Sequence, residues 1–170
     1  MDDVETATKN ESPSRLKRRE TTPAQRTLGL LVRREHSRKE LVRKLTARGV
    51  SEDEAGQAVQ RMTAHGWQDD GRFAVSLARM RVAHGYGPIR IRAELGTHGL
   101  DQDTIAQAFA ALAEAGQDDW NAIARDLVRR RYGAAVSQDL ALRRKAADFL
   151  IRRGFDTDAV RVATRWDFHD

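Results

Sequence analysis

One nine-residue pattern recurs three times along this chain, and that repetition constrains the fold more than any other feature. Leu45-Thr46-Ala47-Arg48-Gly49-Val50-Ser51-Glu52-Asp53 returns as Leu95-Gly96-Thr97-His98-Gly99-Leu100-Asp101-Gln102-Asp103. It returns again as Leu150-Ile151-Arg152-Arg153-Gly154-Phe155-Asp156-Thr157-Asp158, at intervals of 50 and then 55 residues. Identity is low, but each position has a physical reason. Gly49, Gly99 and Gly154 close a helical stretch where the chain needs a left-handed residue. Ser51, Asp101 and Asp156 stand two residues on, as N-caps of the next helix. Apolar residues flank each cap as a staple: Leu100 with Ile105, Phe155 with Val160, and more weakly Val50 with Ala55.

Each repeat accommodates three helices. The first repeat predicts helices over 24–35, 38–48 and 52–65, with Leu41, Leu45, Ala55, Val59 and Met62 facing inward. Ser37 with Glu40, and Ser51 with Glu54, have capping-box spacing, and Glu40 stands one turn before Lys44. The second repeat predicts 70–84, 88–98 and 102–115, lined by Phe73, Leu77, Met80, Ile91, Leu95, Ile105, Phe109 and Leu112. Pro88 suits a first helical position, where its missing N–H costs nothing. The third predicts 119–132, 138–153 and 157–167, with Ile123, Leu127, Leu142, Ala146, Phe149, Leu150 and Val160 inward. A unit of about 50 residues has a marginal core, so stacking three in a row explains the repetition. The expected architecture is all-α: an elongated tandem array of three three-helix repeats, at 23–68, 69–119 and 120–170. Residues 1–22 lack apolar periodicity and balance five acids against five bases, and are expected to be a disordered tail.

The 170 residues contain no cysteine, which excludes disulfide scaffolds, thiol catalysis and thiolate metal sites. No stretch is long and apolar enough to span a membrane. The N-terminus lacks the charged-then-apolar order of a signal peptide, so the expected setting is the cytoplasm. Phosphate-binding loops, zinc-protease motifs and nucleophile elbows are missing; Gly85-Tyr86-Gly87-Pro88 follows a helix and has no lysine. His65, His84 and His98 each fall in a last helical turn, where imidazoles meet free carbonyls, while His36 reads as a loop residue and His169 lies near the chain end. Asp69-Asp70 and Asp118-Asp119 begin helices, which favours caps over acid–base or metal chemistry. Hence no cofactor, no metal and no catalytic residue is expected. Trp67, Trp120 and Trp166 read as seals between repeats, and Gly29 and Gly56 as points of close helix approach.

Charge is distributed unevenly. The first repeat carries +4, the second −3 and the third +4. Arg33, Arg34, Arg38, Lys39, Arg43, Lys44 and Arg48 gather on the first two helices. Arg125, Arg129, Arg130, Arg131, Arg143, Arg144, Lys145, Arg152 and Arg153 gather in the third repeat. Arginine outnumbers lysine, as suits forks for phosphate or carboxylate. Such faces are often merely solvated. The basic–acidic–basic order nonetheless suits a partner with alternating fields, such as a protein surface that itself carries nucleic acid.

Taken together, Arg34-Glu35-His36-Ser37-Arg38-Lys39-Glu40-Leu41, Asp69-Asp70-Gly71-Arg72-Phe73 and Gly85-Tyr86-Gly87-Pro88-Ile89-Arg90-Ile91-Arg92-Ala93-Glu94-Leu95 resemble the RecX family of bacterial recombinase regulators. Arg130-Arg131-Tyr132-Gly133 and Phe149-Leu150-Ile151-Arg152-Arg153-Gly154-Phe155 continue the likeness, which covers about residues 24–168. The resemblance implies a non-enzymatic, monomeric protein that binds the RecA nucleoprotein filament along its groove and dampens its ATP hydrolysis, strand exchange and coprotease activity. It further implies weak, non-specific binding of single- and double-stranded DNA. On that reading the candidate contacts are Arg33, Arg34, Arg38, Lys39, Arg43, Lys44, Arg125, Arg129, Arg143, Arg144, Lys145 and Arg152. The rival readings are a sequence-specific helix-turn-helix DNA-binding protein and a purely protein-binding adaptor.

Overall fold

A computed structural model describes residues 21–165, and among these the chain is helical throughout, without strands. Helices α1 (Pro23–Leu31), α2 (Arg38–Thr46) and α3 (Glu52–Ala64) form unit 1; α4 (Asp70–Ala83), α5 (Pro88–Thr97) and α6 (Gln102–Glu114) form unit 2. Unit 3 holds α7 (Trp120–Tyr132), a short 3-10 turn (Ala134–Ser137), α8 (Leu140–Arg153) and α9 (Thr157–Arg165). The expected disordered tail, apart from Thr21 and Thr22, lies outside the described residues, as do Trp166 and His169.

The extensive helix packing occurs within units, and three separate cores result. Unit 1 buries Leu30, Leu41, Leu45, Ala55, Ala58 and Val59. Unit 2 packs Phe73, Leu77, Ile91, Leu95, Leu100, Ile105 and Leu112. Unit 3 packs Val128, Val136, Phe149, Leu150, Phe155 and Val160 around small alanines. This is the tandem array that the repeat predicts.

The caps explain where the helices begin and end. Gly49, Gly99 and Gly154 take φ of +85°, +73° and +86°, the left-handed conformation required after a helix. Leu100 and Ile105 share one core, and Phe155 and Val160 another, so the staples close. Ser51, Asp101 and Asp156 accept backbone N–H groups three residues on. Pro88 is the first residue of α5.

Several expectations need correction. Helix α1 ends at Leu31 rather than residue 35, and α8 starts at Leu140 rather than 138 because Asp139 caps it, accepting the Ala141 and Leu142 N–H groups. Thr22, assigned to the tail, caps α1 in a full capping box with Gln25. The Ser37 and Ser51 boxes are half-formed: each hydroxyl accepts the N3 amide, but Glu54 takes the Ser51 hydroxyl and Glu40 turns to cations. Met80 is exposed, not inward. Gly29 and Gly56 are not close approaches either, since a Cβ added at either would meet nothing within 4 Å. Of the tryptophans expected at seams, Trp120 packs against the cores of both unit 2 and unit 3, whereas Trp67 is half exposed and stacks on His65.

Candidate protein and nucleic-acid interface

The predicted cations of unit 1 divide into two kinds. Arg33, Arg43 and Arg48 project into solvent. Others serve the fold. Arg34 donates to both oxygens of Glu40, a carboxylate that is only 7% exposed, and Lys44 approaches the same carboxylate at 3.2 Å. Burial alone raises the Glu40 carboxyl, but the hydrogen bonds from Arg34 and Lys44 and the neighbouring His36 outweigh it, leaving the group below its ordinary value. His36 is buried rather than a plain loop residue. Its Nδ1–H donates to the Arg34 carbonyl at 2.9 Å, and its Nε2 accepts from Lys44 at 3.3 Å. Desolvation, the largest influence, depresses the His36 pKa, consistent with this neutral tautomer.

Polar side chains join unit 1 to unit 2. Asp70 accepts the Arg38 backbone N–H at 2.9 Å, so an acid of α4 helps to cap α2 in addition to Ser37. Buried Gln68 donates to the His36 carbonyl and to Asp70. Lys39 reaches the Thr97 carbonyl, and Arg72 pairs with Glu35 at 2.9 Å. Arg38 bonds Gln60 within its own unit. His98 caps α5, but its ring bonds no free carbonyl; it stacks tilted on Phe73 and sits 2.9 Å from the Ser37 hydroxyl. Ser37 Oγ already accepts the Glu40 N–H, so its own proton points to His98 Nδ1. Burial, first among several influences, holds the His98 pKa down. The paired aspartates do act as helix starts: Asp69 caps α4 and Asp119 caps α7.

The junction of units 2 and 3 is built from backbone. The Gly87 and Ile89 N–H groups at the start of α5 donate to the Arg153 and Gly154 carbonyls at the end of α8, at 2.8 and 3.0 Å. Positive and negative helix ends thus meet directly. The approach demands glycine on both sides: a Cβ at Gly87 would lie 2.4 Å from the Gly154 carbonyl oxygen, and one at Gly154 would lie 2.5 Å from the Arg90 nitrogen.

In unit 3, Arg129 and Arg130 share Asp126, Arg125 and Arg143 are half-buried, and Arg144, Lys145 and Arg152 are exposed. Arg90, Arg131 and Arg153, which were not among the predicted contacts, gather around Tyr86 and Phe149 at the second junction. Charge counted by repeat hid Arg90, since it belongs to the acidic middle unit. The signal that could have found it is its place two residues after Pro88, at the helix start.

Comparison with known proteins follows the same tripartite division. Residues 25–62 match the family model described as RecX, first three-helix domain; residues 69–108 match the second and 117–163 the third. Curated relatives include a "Regulatory protein RecX" of Stenotrophomonas maltophilia (strain R551-3), 62% identical over 89% of this chain and 91% of its own. The protein of that name from Xanthomonas axonopodis pv. citri (strain 306) is 56% identical over the full length of both chains. Among solved structures, that of RecX from Lactobacillus salivarius superposes with a TM-score of 0.65 at 20% identity, covering 83% of this chain and 91% of the other. At that identity the likeness is one of fold.

Proposed function

The chain belongs to the RecX family of regulatory proteins, and from that premise we propose that it regulates the RecA recombinase by binding the RecA–DNA filament, without catalysing a reaction itself. In this reading it acts as a monomer in the cytoplasm and lowers filament ATP hydrolysis, strand exchange and coprotease activity. The observation that carries the reading is the succession of all three RecX domain matches over a tandem array with exposed cations on both outer units. An array of this kind offers a long face to a polymer, and alternating charge gives it register. Exposed Arg33 and Arg43 of unit 1, and Arg144, Lys145 and Arg152 of unit 3, are the contacts; Arg34 is chiefly a partner for Glu40.

The test is titration of the protein into a RecA–single-stranded DNA ATPase assay. Hydrolysis should fall with added protein, and strand exchange with it. Unchanged rates at saturating protein would remove the proposal. Reversing Arg144 and Lys145 to glutamate should weaken inhibition severalfold at fixed protein while leaving the helical content intact.

A further inference from the structure

Where unit 2 meets unit 3, we infer a strip that binds the phosphate backbone of nucleic acid, formed by Arg90 of α5, Arg153 of α8 and Arg131 of α7. The inference rests on the filament reading for its setting, because that polymer carries DNA, but its chemistry stands on this junction. The Arg90 and Arg153 guanidiniums lie 5.0 and 4.9 Å from the Tyr86 ring centre. Arg153 and Arg131 lie 5.1 and 4.8 Å from that of Phe149. Successive guanidiniums therefore stand no more than about 10 Å apart, in the order Arg90, Tyr86, Arg153, Phe149, Arg131.

Three properties point to an anionic polymer. First, a guanidinium held over a ring commits its face and leaves N–H donors along its edge, the geometry suited to phosphate. Second, carboxylates neutralise Arg34, Arg72, Arg81, Arg129, Arg130 and Arg161, but none pairs with Arg90, Arg131, Arg152 or Arg153 among the described residues. Glu94 acts on Arg90 electrostatically but is itself held by Arg81 at 2.6 Å, so the gathered guanidiniums are only partly countered until an anion arrives. Third, the row is held in place before binding. Arg153 donates to the His84 carbonyl at 2.7 Å, and the Gly87–Arg153 and Ile89–Gly154 bonds hold α5 against α8. Each DNA strand carries one charge per ~3.4 Å of helix axis, so a row up to about 20 Å long can follow consecutive phosphates.

The experiment measures binding of fluorescein-labelled thirty-residue oligothymidylate to the full chain by anisotropy, without RecA, over a range of salt. The R90Q/R131Q variant keeps Arg153, which positions the junction. It should bind about tenfold more weakly at moderate salt, with a log–log salt slope shallower by about 1.4, from ~0.7 per lost phosphate contact. Exposed Arg48→Gln and Arg79→Gln should bind like the parent. Unaltered affinity and slope in R90Q/R131Q would overturn the strip, as would equal loss in the controls or no binding by the parent. Preferential capture of polyglutamate over the oligonucleotide would likewise overturn it, in favour of an acidic protein partner. If R90Q/R131Q loses its helical circular dichroism, R90Q alone carries the test. Failure of the filament reading is separate: it shows as an unchanged RecA ATPase, whatever the oligonucleotide does.

Discussion

Glu40 shows how one residue can belong to both the fold and the charge pattern. Its carboxylate is almost fully enclosed, with Arg34, Lys44 and His36 around it. Replacing Glu40 with glutamine leaves Arg34 and Lys44 facing a neutral amide and should cost about 2 kcal/mol, read by urea denaturation. A change below ~0.5 kcal/mol would mean the cluster is solvated in practice. Acid should act on the same neighbourhood. His36 and His98 have depressed pKa values, so the unfolded chain takes up their protons first. Stability is then full above the ordinary imidazole pKa of ~6.5 and declines as pH falls below it. Glu40 and Glu94, also depressed, withdraw a further contribution below the ordinary carboxylate range of ~4–4.5. Denaturation midpoints should therefore fall between pH 7 and 5, and His98→Asn should flatten that fall. An identical profile in the variant would remove His98 from the account.

At the scale of helices, the glycines separate cleanly by what surrounds them. Gly87 has an ordinary φ of −86°, yet Gly87→Ala would drive a methyl group into the Gly154–Phe155 peptide just after α8. That should cost about 1–3 kcal/mol and speed hydrogen exchange at the Gly87 and Ile89 amides. Gly29→Ala and Gly56→Ala should do the opposite. Both positions lie within helices with open space beside them, so each substitution should raise stability by up to ~1 kcal/mol in urea melts. The sequence alone placed Gly49, Gly99 and Gly154 correctly because a helix end has a local signature. It misjudged Gly29 and Gly56, because close approach depends on a neighbour that no local pattern names.

For the whole molecule, three cores joined by thin contacts imply that the units need not open together. Unit 1 has the smallest cluster of buried residues and meets unit 2 through side-chain hydrogen bonds. Units 2 and 3 share Trp120 and a backbone latch. Native-state hydrogen exchange should find α2 and α3 opening at lower free energy than α4 and α6. Uniform protection across all three units would contradict this.

The repeat, the nine α-helices among the described residues and most inward residues were legible in the sequence, because helix periodicity, capping and left-handed glycine are local requirements acting over a few residues. Family membership was legible too, since its motifs are contiguous. The partners of the charges were not. Whether an arginine fixes a buried carboxylate, as Arg34 does, or lies over an aromatic ring with no ion pair among the described residues, as Arg131 does, depends on residues that the fold brings together. Only packing decides that, because electrostatic energy depends on distance and burial rather than on position along the chain.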